Sequence, residues 1–140
     1  MPFEPDIVVT NPGDSRVTLV VDAKIALPDL QQTELGLKIY MCLLQCPTGL
    51  LVTPDRMWLY QDRYTSRSPE SVELVDSFNL KPVWEDPPTQ ETRFETFVQH
   101  WLEDLPGQPA EHLPKELRNA VREYILPAVV HGDVRAAHPR

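Results

Sequence analysis

Two apolar runs near the start of the chain constrain its fold more than any other feature. The first run, Ile7-Val8-Val9, follows Asp6, and the second, Val17 to Val21, leads into Asp22-Ala23-Lys24. The segment Asn11-Pro12-Gly13-Asp14 between them is rich in turn formers and predicts a reversal of the chain. A hairpin would therefore bring Asp6 close to Asp22, although the two residues are 16 positions apart.

The residue types at the end of this hairpin predict a metal-dependent hydrolytic site. Residues two apart in a strand share a face, so Asp22 and Lys24 project together while Ala23 turns the other way. Mg²⁺ or Mn²⁺ is typically held by one or two carboxylates, here Asp6 and Asp22, and the Ala23 backbone carbonyl would add an oxygen ligand. An ammonium beside the metal can orient the attacking water and stabilise an anionic transition state. We expect Asp6, Asp22 and Lys24 to be catalytic.

These residues and their setting resemble the PD-(D/E)xK nuclease superfamily, and most of all the N-terminal endonuclease domain of type I restriction-enzyme motor subunits. The resemblance covers about residues 5 to 80 and is carried by a few segments of the chain. They are Pro5-Asp6, Asp22-Ala23-Lys24, the end of an apolar helix at Tyr40 to Leu44, a strand at Thr48 to Thr53, and a second strand at Asp55 to Tyr60. It implies Mg²⁺-dependent hydrolysis of DNA, with Asp6 and Asp22 as metal ligands and Lys24 as the catalytic lysine.

The chain departs from the family pattern at two places that bear on the site. Members usually carry a helix, often with a glutamate, before the first acidic strand, and here only four residues precede Pro5. Either that helix is missing, or another chain or the C-terminal helices take its place. A Gln-x-x-x-Tyr signature often follows the lysine, whereas Gly36 stands four residues before Tyr40. Tyr40, with Gln31 and Gln32 as partial substitutes, is therefore a candidate supporting residue.

Composition limits the classes of partner. The chain has 140 residues, 41% of them hydrophobic, which suits one domain with a single core. Its net charge of −8 argues against strong independent binding to duplex DNA, because Lys and Arg dominate that affinity. DNA is thus expected to bind weakly unless the chain forms a homodimer or a larger restriction-type complex. No membrane-length apolar run or signal sequence is present, so a cytoplasmic location is expected.

The positive charges and the cysteines add little to the chemistry. The basic residues Lys38, Arg56, Arg63 and Arg67 could form a phosphate-facing set or be ordinary solvated charges. Cys42 and Cys46 lack the further ligands that zinc needs and are expected in the core. The four histidines, His100, His112, His131 and His138, show no metal or triad spacing and receive no role.

The order of predicted elements gives an α/β fold. We expect a restriction-endonuclease-like core over residues 1–80, with a mixed sheet of about four or five strands and a crossover helix that Asp29 caps. Ser71 to Val75 is expected to add an edge strand. Residues 81–140 are expected to form a Pro-rich linker at 81–89 and two helices that pack on the core or on a partner, within a single domain overall. Residues 134–140 are expected to form a loose tail.

Two other interpretations compete with the nuclease. The chain could be a catalytically inactive interaction or assembly module that keeps the nuclease fold, an interpretation favoured by the absent first helix, Gly36 and the acidic balance. Alternatively, the Asp-x-Lys match could be accidental in some other small α/β domain, which a sheet order that keeps Asp6 away from Asp22 would establish. Phe94, Phe97, Val98, Trp101 and Leu102 are expected to be core residues rather than a binding surface.

Overall fold

The computed structural model describes residues 4–137, which form an α/β protein around one six-stranded mixed sheet. The strands are β1 (Ile7–Thr10), β2 (Val17–Ala23), β3 (Thr48–Val52), β4 (Arg56–Asp62), β5 (Val72–Asn79) and β6 (Asp133–Ala136). Their order across the sheet is β5-β4-β3-β2-β1-β6, and every neighbouring pair is antiparallel except β2 and β3. The predicted α/β class is confirmed, and the sheet has one strand more than the largest predicted number.

The hairpin of β1 and β2 confirms the strongest prediction from the sequence. Ile7 pairs with Val21 and Val9 with Leu19. The same register, carried one residue further, sets Asp6 opposite Asp22. The sheet order therefore agrees with a meeting of the two aspartates, which an accidental Asp-x-Lys match did not require.

Helix α1 (Leu30–Leu44) is the crossover between β2 and the parallel strand β3. Its predicted start is confirmed, because the Asp29 side chain accepts a hydrogen bond from the Gln32 N–H at 3.1 Å. Leu37 and Met41 are fully buried against the sheet. A Cβ at Gly49 would lie 2.6 Å from the Met41 sulfur, so a side chain on β3 at that point would push α1 away.

The C-terminal helices cover the opposite face of the sheet. They are α2 (Glu91–Asp104), α3 (Lys115–Ala120), a π-helical turn (Val121–Ile125) and α4 (Leu126–Val129), so the second predicted helix is irregular rather than continuous. Phe94, Val98 and Leu102 are fully buried in a core shared with the sheet, as the aromatic stripe predicted. Trp84, in the segment expected to be a linker, is buried in the same core. No helix within residues 4–137 is both long and apolar enough to cross a membrane.

Strand β6 corrects the prediction of a loose tail from residue 134 onward. Residues 133–136 pair antiparallel with β1 and form one edge of the sheet, while residues 138–140, including His138, lie outside the described part of the chain. Gly132 makes this return possible, because a Cβ there would press on the backbone of Ala128 and on the Val9 side chain. A short strand of mixed polarity carries little local signal, and its pairing with the other end of the chain decides its structure.

Candidate active site

Asp6 and Asp22 meet where β1 begins and β2 ends. The Asp6 N–H donates to the Val21 carbonyl at 3.0 Å, and the Ala23 N–H donates back to Asp6 Oδ2 at 2.8 Å. The Asp6 carboxylate is therefore fixed against the backbone beside Asp22. Both side chains are buried, with 8% of Asp6 and 2% of Asp22 exposed.

Lys24 links these carboxylates to a third one. Its backbone N–H donates to the Val52 carbonyl at 2.9 Å, which continues the parallel pairing of β2 and β3 one residue beyond Ala23. Its Nζ lies 3.2 Å from Asp6 Oδ2 and 3.3 Å from Asp22 Oδ1. The same ammonium lies 3.5 Å from Glu91 Oε1. The three predicted catalytic side chains are thus brought together, with the positive charge held among the negative ones.

Asp22 is the carboxyl of the site whose charged form is most disfavoured by its surroundings. Burial, together with the hydrogen bond and the negative charge of Asp6, raises the pKa of Asp22 to about 8, although Lys24 acts in the opposite direction. Its Oδ1 is at ion-pair distance from the Lys24 ammonium but has no hydrogen-bond partner within residues 4–137. A buried carboxyl oxygen without a hydrogen bond is a feature that needs an explanation, and a cation-binding role is one.

The neighbouring charges shift in the directions that an ion cluster requires. Burial alone would raise the pKa of Asp6, but hydrogen bonds with Asp22, Glu95 and the Ala23 N–H and the charge of Lys24 hold it below its usual value. Burial alone would lower the pKa of Lys24, but the charges of Asp22 and Asp6 raise it. The pKa values of the two aspartates are therefore shifted in opposite directions, which favours the protonated form of Asp22 and the charged form of Asp6.

Two glutamates of α2 complete the site, and neither was predicted from the sequence. Glu91 is the first residue of α2 and pairs with Lys24, while the half-buried Glu95, one turn later, hydrogen-bonds with Asp6. A C-terminal helix thus brings glutamates to the hairpin, which is one of the alternatives that the departure from the family pattern left open. The signal that could have found them is the spacing, since Glu91 and Glu95 share a helix face beside the buried Phe94.

The expected supporting residues lie on α1, and their role in the site stays a prediction. Gln31 and Gln32 are exposed in the first turn of the helix. Tyr40 is half-buried and packs against the core between α1 and the sheet. Ala23 is fully buried and its N–H contacts Asp6, while the role of its carbonyl as a metal ligand stays a prediction.

The basic residues that could have faced a phosphate do not form one set. Arg56 begins β4, beside the end of β3 that bears the Lys24 contact, and its guanidinium donates to Ser77 Oγ at 3.0 Å. Arg63 follows the other end of β4 and pairs with Glu73 at 3.4 Å. Only Arg56 of this pair lies at the end of the sheet that carries the site.

The donor atoms suit a small hard cation. No group of three or more His, Cys, Asp or Glu side chains within residues 4–137 is arranged to hold a metal ion. Mg²⁺ nevertheless needs only one or two carboxylates, since it keeps several of its waters. Asp6 and Asp22 meet that smaller requirement, and Asp22 Oδ1 is buried without a hydrogen-bond partner among residues 4–137.

Comparisons of the chain with protein-family models, with curated proteins and with solved structures found no match. Function is therefore inferred from the geometry of the site.

Proposed function

We propose that this protein is a Mg²⁺-dependent nuclease that hydrolyses DNA phosphodiester bonds, with a restriction-endonuclease-like core. The observation that carries the proposal is the convergence of Asp6, Asp22 and Lys24 within 3.2–3.3 Å at neighbouring strand ends. Supporting it is the element order: two strands, a crossover helix and two strands, with β2 and β3 parallel.

Each residue has a role that follows from its surroundings. Asp6 and Asp22, with the Ala23 carbonyl, would hold Mg²⁺ or Mn²⁺. A bound divalent cation would supply neutralisation of the charge that develops on the phosphoryl oxygens. Lys24, whose pKa is raised, stays an ammonium at neutral pH. It therefore acts through its charge and its N–H groups, orienting the attacking water and stabilising the anionic transition state, rather than as a base.

The test combines cation binding with DNA cleavage. We expect Mn²⁺ titrated calorimetrically into the wild type to bind, and Asp22→Asn to abolish that binding because one carboxylate ligand is lost. Lys24→Met should retain Mn²⁺ binding but lose cleavage, because it removes the ammonium and leaves both carboxylates. Circular duplex and circular single-stranded DNA, each with Mg²⁺, should be used as substrates.

Asp76→Asn is the matched control, because Asp76 is an exposed aspartate on the edge strand β5. It removes the same charge and should change neither binding nor cleavage. Cleavage that survives in both Asp22→Asn and Lys24→Met would refute the assignment of the catalytic residues.

A second candidate function is a non-catalytic assembly module with the same fold, and one observation favours it. Leu35, Ile39 and Leu43 recur at every fourth position of α1 and are 52%, 42% and 77% exposed. Three large apolar side chains on one solvent-facing helix stripe are typical of a protein contact surface. This candidate predicts little stabilisation by Mg²⁺ or Mn²⁺.

Sedimentation of the wild type and of Leu43→Glu tests the second candidate. Self-association in the wild type that Leu43→Glu abolishes would support it, with Gln32→Glu as the control on an exposed position of the same helix. A wild type that stays monomeric at high concentration, with Mn²⁺ bound, would favour the nuclease instead.

A further inference from the structure

A cavity of about 570 Å³ lies at the other end of α2 from the candidate active site. Its walls are Val83, Trp84, Phe97, His100, Trp101, Asp104, Gln108, Pro109, His112 and Leu113. Glu91 begins α2 and Asp104 ends it, so these two residues lie about 20 Å apart along the helix axis. The volume lies in the range of pockets that bind small organic molecules.

Trp84, Phe97 and Trp101 give the cavity wall an aromatic part. The ring of Trp84 lies edge-on to Phe97 and Trp101, with centroids 5.1 and 5.6 Å apart. These contacts fix the rings before any ligand arrives. Preformed aromatic walls lower the entropic cost of binding and present ring surfaces that attract cations.

The charge near the cavity is mostly negative. Residues 83–113, which supply all of its walls, contain one basic residue and seven acidic residues, of which Glu91 and Glu95 lie at the candidate active site and Asp104 lies in the cavity wall. The segment thus contributes −6 to the net charge of −8 of the whole chain. Asp104 lies in the wall itself, at the C-terminal end of α2, where the helix dipole adds negative potential.

We propose that this cavity binds an organic cation, namely an ammonium or guanidinium group carried on an apolar stem. The aromatic part of the wall would accommodate the stem and lie beside the cation, and Asp104 in the wall would pair with its charge. Nucleotides and other anions are disfavoured by the surrounding acidic residues. The site is independent of the nuclease proposal, because none of its walls belongs to the Asp6, Asp22 and Lys24 cluster.

Tryptophan fluorescence with three isosteric probes tests the proposal. The Trp58→Phe background is used, because Trp58 packs against the other core and would dilute the signal from Trp84 and Trp101. We expect n-butylammonium to give a saturable change at roughly millimolar concentration, as suits so small a ligand. Neutral 1-butanol should bind more weakly, and butyrate should not bind. Equal binding of butanol and butylammonium would overturn the proposal, as would the lack of any saturable change.

Two charge variants at the end of α2 distinguish a direct contact between the cation and Asp104 from attraction by the net negative charge of the protein. Asp104→Asn should weaken butylammonium binding by about three- to tenfold, because it removes the carboxylate in the cavity wall. Glu103→Gln removes the same charge from the adjacent exposed residue, which is not part of the wall, and should change binding by less than about twofold. Equal losses in the two variants would show that the cation is attracted only by the net charge.

The source of the cation is distinguished by two further probes. Agmatine represents a free small amine, and blocked acetyl-arginine methylamide represents an arginine side chain of a partner protein. Tighter binding of agmatine would indicate a metabolite-like ligand, and tighter binding of the blocked arginine would indicate a basic peptide. Failure of both, under conditions in which butylammonium binds, would restrict the proposal to simple ammonium groups.

Discussion

Two buried aspartates stand at opposite ends of the same sheet, and their surroundings differ in kind. Asp22 ends β2 beside Asp6, and Asp62 ends β4 at the far side. They are 2% and 5% exposed, so burial alone does not distinguish them. Asp62 Oδ1 accepts hydrogen bonds from Ser71 Oγ at 2.7 Å and from the Tyr64 N–H at 2.8 Å. Asp22 faces another acid and has an oxygen without a hydrogen-bond partner among residues 4–137.

The difference separates a carboxylate that stabilises the fold from one for which we propose a role in chemistry. Neutral donors that point at Asp62 make its burial useful to the fold, because they satisfy its charge and would lose their own acceptor without it. Asp22 instead makes the fold depend on protonation or on a nearby cation. Buried charged groups that do not stabilise the fold and have strongly shifted pKa values are often found at functional sites.

The pH dependence of stability should show the largest effect. Because the pKa of Asp22 is raised to about 8 in the folded protein, the stabilisation associated with its protonated form is fully present below pH 3.8 and is lost as pH rises through 8. The free energy of unfolding without divalent cations should therefore fall between pH 5 and 8, by at most about 1.4 kcal/mol per pH unit from this group. Urea denaturation at several pH values measures it.

Asp22→Asn is the comparison that isolates this effect. Its amide can donate to Asp6 as the protonated acid does, but it cannot ionise. We expect the variant to match the wild type near pH 5 and to be more stable at pH 8. A wild type and a variant with parallel pH profiles would contradict the role assigned to Asp22.

Asp62→Ala should destabilise the protein by about 2–3 kcal/mol, the opposite sign to Asp22→Asn at pH 8. The alanine leaves the buried Ser71 hydroxyl and the Tyr64 N–H without their acceptor. Asp62→Asn is the milder control, because the amide oxygen can keep both hydrogen bonds. Urea denaturation at pH 7 should rank the wild type above Asp62→Asn, and Asp62→Asn above Asp62→Ala. An Asp62→Ala variant as stable as the wild type would remove the contrast with Asp22.

Lys24→Met should cost about 2 kcal/mol at pH 8 without divalent cations. The ammonium neutralises two buried carboxylates, and its 30% exposure places the effect below that of a fully buried pair. The cost should shrink near pH 5, where Asp22 is protonated and needs less compensation. Arg122→Met is the control, because its pair with Glu111 at 3.5 Å joins side chains that are 50% and 69% exposed and is worth at most about 1 kcal/mol. Similar losses from Lys24→Met and Arg122→Met would show that the cluster is only a surface ion pair.

The parts of this structure that the sequence predicts are the ones that depend on nearby residues. The Asn11 to Asp14 turn and the alternation along β1 and β2 indicate the hairpin, and Asp29 indicates the start of α1. Because the hairpin carries Asp6, Asp22 and Lys24, the centre of the candidate site could be predicted as well. The site could be predicted from local sequence because a single turn brings its three central side chains together.

The parts that escaped prediction depend on contacts between distant segments. Strand β6 exists through its pairing with β1, at the other end of the described chain. Glu91 and Glu95 reach the site only because the apolar face of α2 packs on the sheet. Leu44 belongs to an apolar run and is nevertheless 39% exposed, because α1 ends there and the chain turns at Gln45 in a left-handed conformation. The sequence pattern can indicate such a helix or strand, but the packing of that element against distant segments decides which of its side chains are buried or reach the site.

Glu91 gives the smallest predicted effect and the finest test of the contrast between the two ends of the sheet. It is the third carboxylate at the Lys24 ammonium, but 49% of its side chain is exposed, so solvent screens the pair. Glu91→Gln should destabilise by at most about 0.5 kcal/mol through the weakened ion pair and the lost negative charge at the start of α2. Glu103→Gln, near the other end of α2, should be neutral or slightly stabilising, because a negative charge there opposes the helix dipole. Urea denaturation at low salt would resolve the difference, and 0.5 M salt should remove most of it. If Glu91→Gln lowered the free energy of unfolding as much as Lys24→Met, the ammonium would depend on the exposed glutamate. Asp6 and Asp22 could then no longer be described as the buried centre of the cluster, with Glu91 at its solvated edge.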